Sequence, residues 1–299
     1  GFFAMFTPPA GVRADASPAE RSANFTAPIE QARATAFVDE LIAKARSIEE
    51  ESRGEVRIVH DMATFDDAWN SAAITMILHI EGAEAIGPDL DELHALYARG
   101  LRSLGPVWSR PNIFGHGVPF RHPSSPDTGD GLTERGVALV RECNALGVMI
   151  DLSHLNEKGF WDVHRHTTHP LVATHSCAHT ICPSARNLTD MQLDAIAELN
   201  LSPSFFVWHV YYWGDRHRDI FMGPERAAGI SALRSSIDRG IRFTVHDDTP
   251  VTPVNPLQLV WVGVNRLTKT DQVLGPDERI TPLEALHDRS ALLRLQASV

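Results

Sequence analysis

Several absences narrow the reading of this 299-residue chain before any motif does. It has only three cysteines, Cys143, Cys177 and Cys182; they cannot all pair, and their spacing fits no zinc-finger pattern. Free thiols in a reducing compartment are the simplest account, so a cytoplasmic protein is expected. No apolar run approaches the roughly 20 residues that cross a bilayer, and no basic-then-apolar leader precedes a cleavage site. No membrane is therefore expected as a partner. Positive charge is short too: 27 Lys and Arg stand against 38 Asp and Glu, a formal net charge of -11. A nucleic-acid partner wants a basic face and is disfavoured. There is no internal repeat and no low-complexity tract.

The chain does have a 43% hydrophobic content, enough at this length for one large barrel or two ordinary domains. Its most informative stretch runs from Gly147 to Asn187. Two short apolar runs there, VMIDL and PLVAT, have the length of buried parallel strands, and each ends in a polar pair that includes a histidine, Ser153-His154 and His175-Ser176. A segment of helical length, Glu157 to His166, separates them, so the unit reads strand, helix, strand. Both histidines then fall at carboxyl ends of neighbouring strands. His164, His166 and His169, on the helix and its exit, read as solvated surface.

Elsewhere, strands are expected at 2–6, 74–80, 101–107, 202–207 and 241–245 besides 147–152 and 170–174. Helices separate nearly all of them. The segment 11–24 reads as a surface loop and Pro28 as the start of a long helix. The stretch 108–131 reads as a long loop lining a site. The aromatic segment Trp208 to Trp213 reads equally as a substrate lid or as packing, and a helix near 257–267 and a helical tail close the chain. Seven strands alternating with helices fit a (β/α)8 TIM-type barrel of the metal-dependent hydrolase kind, with its first strand expected to be missing, most economically before residue 1.

Functional side chains of such barrels converge at the carboxyl ends of the strands. Glu81, His154, His175 and the pair Asp247-Asp248 all fall there. A glutamate and two histidines leave an open position on zinc, and a nearby carboxylate can move the proton of the attacking water, a set suited to hydrolysis.

The motifs IEGAEAI, DLSHLNEKGFWDV, ATHS and SARNLTD resemble the membrane dipeptidase family of metallopeptidases, from residue 1 to about Leu199. The resemblance implies that Glu81 is the carboxylate bridging two zinc ions, that His154 and His175 serve the second of them, and that Arg186 receives the substrate's terminal carboxylate, a task suited to a guanidinium fork. It also implies a His-x-Asp pair on the first strand, which is not present here; His60-Asp61-Met62 has neither the spacing nor the strand position. The family's substrate-binding histidine falls at about Trp108. From about residue 200 to 285 the motifs RFTVHDDTPVTPVNP and LSPSFFVWHVYYWGD resemble amidohydrolases of the formamidase-like and N-acyl amide kind. By that resemblance Asp248, rather than Asp247, is the aspartate that serves the metal and the water.

The expectation is thus a single barrel domain over 1–299 with a join between two family-like halves near residue 199. It is expected to be a zinc-dependent dipeptidase with one zinc ion on Glu81, His154 and His175, or two if a His-x-Asp strand is restored. Asp248 is the expected proton shuttle, with Arg186 and Trp108 at the substrate. The expected partner is a small peptide or amide, and a homo-oligomer is compatible. The alternatives are a hydrolase of N-acyl or other amides, whose apolar acyl group the aromatic segment would accept, and an inactive fused barrel.

Overall fold

The computed structural model describes residues 1–11, 15–119, 125, 128–198 and 203–286. The expected join near residue 199 and the tail over 287–299 lie outside the described residues. The chain divides into two compact units, Gly1–Leu171 and a second from Val172 onward. Among the described residues, no helix is long and apolar enough to cross a membrane.

The first unit is built on a parallel sheet of β1 (Phe2–Phe6), β2 (Val56–Ile58), β3 (Ile74–Glu81), β4 (Leu101–Gly105) and β5 (Met149–Asp151). Strand β3 is its centre: β1 pairs with Ile77–Glu81, β2 with Ile74–Met76 and β4 with Leu78–Glu81, while β5 continues beyond β4. Burial explains that position. Ile77 to Ile80 are all buried, so both faces of β3 are covered, as a central parallel strand requires. Register then matters most at the carboxyl end, where Phe6 and Gly105 both lie opposite Glu81.

Among the described residues, six helices accompany this sheet: α1 (Pro18–Thr26), α2 (Gln31–Glu51), α3 (Met62–Asn70), α4 (Asp91–Ala98), α5 (Glu134–Leu146) and α6 (Glu157–His166). Helix α2 buries Ala34, Val38, Ile42 and Ala45, a stripe at helical spacing that lies against β1 and β2. Caps set the boundaries. Thr133 accepts from the Gly136 N–H at the start of α5, and Gly147, at φ 71°, ends it in the left-handed conformation. Asp61 accepts from the Thr64 N–H and caps α3, which gives the His60-Asp61 sequence a structural role.

Helix α1 was not expected. It forms because Ser17 and Glu20 make a reciprocal capping box, with Pro18 in the first turn. Its described side chains are all at least partly exposed, so no apolar period marks it, and its cap residues resemble a loop composition. The next helix begins at Gln31 rather than at Pro28, because the chain stays extended through Glu30, its N-cap, at φ -61° and ψ 130°.

The second unit follows the boundary inside β6 (Leu171–Val172) with α7 (Asp190–Glu198), β7 (Ser204–Phe205), α8 (Trp208–Arg216), α9 (Pro224–Ala228), α10 (Leu233–Asp238), β8 (Thr244–Val245) and α11 (Pro256–Asn265). Strands β7 and β8 pair in parallel, and Ala173 bridges Pro203 in the same sense. Both paired strands are shorter than expected. After Phe205 the chain turns helical at Val207, so the rest of that apolar run is core of the turn into α8.

The aromatic segment is that helix, not a loop. Trp208 is fully buried, and its ring lies 5.8 Å from Tyr211 and 5.1 Å from Tyr212, the neighbours at helical spacing. Weak helix formers dominate the segment and conceal the period.

Arg266, fully buried after α11, holds this unit's loops together. Its guanidinium donates to the carbonyls of Ala228, Ile230, Ser231 and Leu274 at 2.8–3.1 Å. Burial pulls its pKa down to about 10, so it remains charged at neutral pH. Arg266→Met would leave these carbonyls without their donor, and a loss of about 3 kcal/mol or more of stability is expected, seen as a lower urea midpoint. An unchanged midpoint would show that solvent replaces the arginine at no cost.

Candidate active site

At the carboxyl end of β3 the chain must turn sharply, and Gly82 does so at φ 94°. Glu81 is left partly open, its side chain 17% exposed. His154 follows β5 with φ 71°, a left-handed conformation uncommon for a residue with a Cβ. Its Nε2 lies 2.9 Å from Glu81 Oε1, and its Nδ1 lies 2.7 Å from Ser109 Oγ. If the Nδ1 proton is given to Ser109, the Nε2 lone pair faces a carboxylate oxygen, and that contact is favourable only with a proton or a cation between them. Imidazole nitrogen and carboxylate oxygen are the donors that zinc takes, so the two residues fit a metal of that class.

Beneath this pair lies a layer not anticipated from the sequence. His79 sits two residues before Glu81 and hence on the same face of β3. Its Nδ1 is 2.9 Å from Ser103 Oγ, and its Nε2 is 3.7 Å from Asp151 Oδ2. Asp151 Oδ1 in turn accepts the Ser153 N–H at 3.0 Å. The alternation of His79 with Glu81 was the available signal.

The rim beside the pair is held by charge. Arg110 Nε donates to Glu84 Oε1 at 2.8 Å, and its Nη2 donates to the Thr7 carbonyl at 2.7 Å, with both ionic side chains fully buried. The guanidinium lies 4.8 Å from the centre of the Trp108 ring. Trp108, expected at the substrate, is nearly buried, with its ring 5.4 Å from that of His154.

In the second unit, His175 follows β6 and is half-buried, its Nδ1 2.7 Å from Thr174 Oγ1. Arg186 Nη2 donates to the His175 carbonyl at 3.3 Å. His246, at the end of β8, stands 6.3 Å from the His175 ring, stacks on Phe206 and shares a 2.9 Å contact with Ser204 Oγ. Sequence reasoning passed over His246 because the acidic pair after it drew the assignment. Asp247 Oδ1 accepts from Trp208 Nε1 at 2.9 Å, whereas Asp248 is exposed, at φ 54°. His164 and His166 occupy the last turn of α6, and His169 Nδ1 lies 3.1 Å from Asn144 Oδ1. All three cysteines are free.

Residues 1–200 match the family described as membrane dipeptidase, peptidase family M19, and residues 159–288 match the one described as amidohydrolase family. The chain is 48% identical over 147 residues to an uncharacterised protein in the pqqA 5′ region of Klebsiella pneumoniae, covering 49% of this chain and 54% of that protein. It is 46% identical over 143 residues to an uncharacterised protein in the PQQ-III 3′ region of Acinetobacter calcoaceticus, covering 48% and 45%. The chain thus spans about half the length of the curated relatives it matches.

Among solved structures, a metallopeptidase from Rhodobacter sphaeroides liganded with a phosphinate mimic of L-Ala-D-Ala is 36% identical, with a TM-score of 0.72 over 99% of this chain and 86% of that one. A dipeptidase of metallopeptidase family M19 is 37% identical, also at 0.72, over 100% and 86%. An amidohydrolase from Pseudomonas aeruginosa, 16% identical at 0.56 over 90% and 77%, shares the fold. Both resemblances read from the motifs are therefore recovered, and the fold class is the parallel α/β class of the metal-dependent hydrolases.

The contrast between the two aspartates can be measured without an assay. Asp247→Ala removes the acceptor of a buried indole N–H and should cost about 1–3 kcal/mol of stability, while Asp248→Asn, which keeps a side chain that tolerates the left-handed backbone, should cost less. Equal losses in thermal or urea unfolding would show that the Trp208 contact carries no weight.

Proposed function

Since the chain belongs to the membrane dipeptidase family, we propose that it is a metal-dependent hydrolase that cleaves the amide bond of dipeptides or dipeptide-like substrates. The observation that carries this reading is the 2.9 Å approach of His154 Nε2 to Glu81 Oε1, where Glu81 ends one strand and His154 closely follows another of the same parallel sheet. Glu81, His154 and His175 are the residues that would hold zinc, as one ion. Bound there, zinc supplies a Lewis acid and a strong nucleophile at neutral pH.

The chain's own groups do the rest. Ser109 fixes the His154 ring through Nδ1, which keeps Nε2 directed at Glu81. Asp248 takes the proton of the attacking water and returns it to the leaving amine. Engagement of Asp247 with Trp208 supports this division of labour. Arg186 pairs through its guanidinium with the substrate's terminal carboxylate. The phosphinate mimic of L-Ala-D-Ala on the Rhodobacter sphaeroides relative makes dipeptides the first substrates to assay. The amidohydrolase match over 159–288 favours N-acyl amides as a second reading, and assaying both classes side by side separates them.

Purified protein analysed by metal spectrometry should hold about one equivalent of zinc. His154→Ala and His175→Ala should each lose both the zinc and the hydrolysis, whereas His164→Ala should lose neither. Two equivalents in the wild type would refute the single ion, and none would refute the site. Asp248→Asn should lower kcat roughly 100-fold with zinc content near normal; a wild-type rate would remove Asp248 from the chemistry. Arg186→Ala should weaken substrates with a free terminal carboxylate by about 2–4 kcal/mol and spare amidated analogues. Equal losses for both would make the arginine structural.

A further inference from the structure

The buried ion pair of Arg110 and Glu84 stands beside Glu81 and His154, and hydrolysis itself gives it no task. An ion pair whose side chains are both fully buried is a poor way to fill a core, because desolvation offsets most of the attraction and apolar residues of similar volume serve as well or better. Its use lies in geometry.

Glu84 comes just beyond the turn that Gly82 makes at φ 94° after Glu81. The carboxylate folds back on that turn: a Cβ at Gly82 would clash with Glu84 Oε2, so position 82 needs a glycine on two counts. Arg110 Nε holds the other oxygen, Oε1, at 2.8 Å. Its Nη2 donates at 2.7 Å to the carbonyl of Thr7, which follows the Phe6 that lies opposite Glu81. The backbone repeats the link, since the Gly82 and Ala83 N–H groups donate to the carbonyls of Gly105 and Pro106 at 3.2 and 3.4 Å. Next to Arg110 in the chain, Ser109 Oγ is 2.7 Å from His154 Nδ1. One short segment, 105–110, therefore holds both the turn that follows Glu81 and the ring of His154. The planar fork of an arginine makes the Glu84 and Thr7 contacts together, which an ammonium on a flexible stem does not.

We propose that Arg110, acting through Glu84, is a positioning residue that sets the separation of Glu81 and His154, and with it the affinity and geometry of metal binding. This rests on the metal-dependent hydrolase reading for the role of the two donors, and the test therefore reads the site without turnover.

Zinc affinity, the visible absorption of the cobalt-substituted protein and the urea midpoint are compared for the wild type, Glu84→Gln, Arg110→Lys and the double variant Arg110→Met/Glu84→Met. Glu84→Gln keeps the shape and loses the charge, whereas Arg110→Lys keeps the charge and loses the fork. Each should weaken zinc binding by about 10- to 100-fold and shift the cobalt bands. The double variant separates positioning from stability. With neither charge left buried, it should unfold at or above the midpoints of the single variants. It should still bind zinc about 10-fold or more weakly than the wild type, with shifted cobalt bands. Wild-type affinity and bands in Glu84→Gln, or their return in the double variant together with its stability, would make the pair structural and overturn the proposal. If the wild type takes up neither zinc nor cobalt, the hydrolase reading falls and the separation is read directly by magnetic resonance of isotope-labelled histidine. The proton between His154 Nε2 and Glu81 should then give a downfield resonance that Glu84→Gln moves, which supports the positioning role. A resonance missing from the wild type, or unmoved by the substitution, overturns it.

Discussion

An imidazole nitrogen and a carboxylate oxygen 2.9 Å apart are the constraint that organises the first unit. Two lone pairs at that separation repel, so the contact calls for a proton or a cation, and the surroundings must keep both groups from turning away. The structure achieves this with rigid elements. Glu81 ends a strand that is buried on both faces, Ser109 holds the far side of the His154 ring, and the His79–Asp151–Ser153 chain fixes the turn from which His154 emerges.

The two units solve the problem of buried charge differently. Arg110 has a carboxylate partner as well as a carbonyl, and it lies against the Trp108 ring. Arg266 donates to four backbone carbonyls and so fastens loops distant in sequence. An arginine can do either because its planar fork presents five donors in fixed directions. In the first unit that rigidity steadies the surroundings of the ligand pair; in the second it steadies a core.

The sequence also misled in physically instructive ways. Ser17, Pro18 and Glu20 read as loop composition because cap residues and turn residues are the same residues, and only a reciprocal pair of hydrogen bonds separates the two outcomes. Trp208 to Trp213 read equally as a lid and as packing because aromatic and polar residues mix there, and the structure puts Trp208 among the most deeply buried side chains. Its indole N–H accounts for the placement of Asp247, a contact that no local pattern announced.

What the sequence determined by itself are the features with a local period or a local chemistry. The buried parallel strands, the polar residues that end them and the candidate donors Glu81, His154 and His175 are legible because each is specified within a few residues. Tertiary structure alone decided which groups meet: Ser109 with His154, Asp247 with Trp208, Arg266 with its carbonyls, and Phe25 with Trp108. These partners lie tens of residues apart, and their meeting depends on strand register and on the exit angle of each helix. Register is a sum of many weak preferences along whole strands, so no short stretch of sequence encodes it.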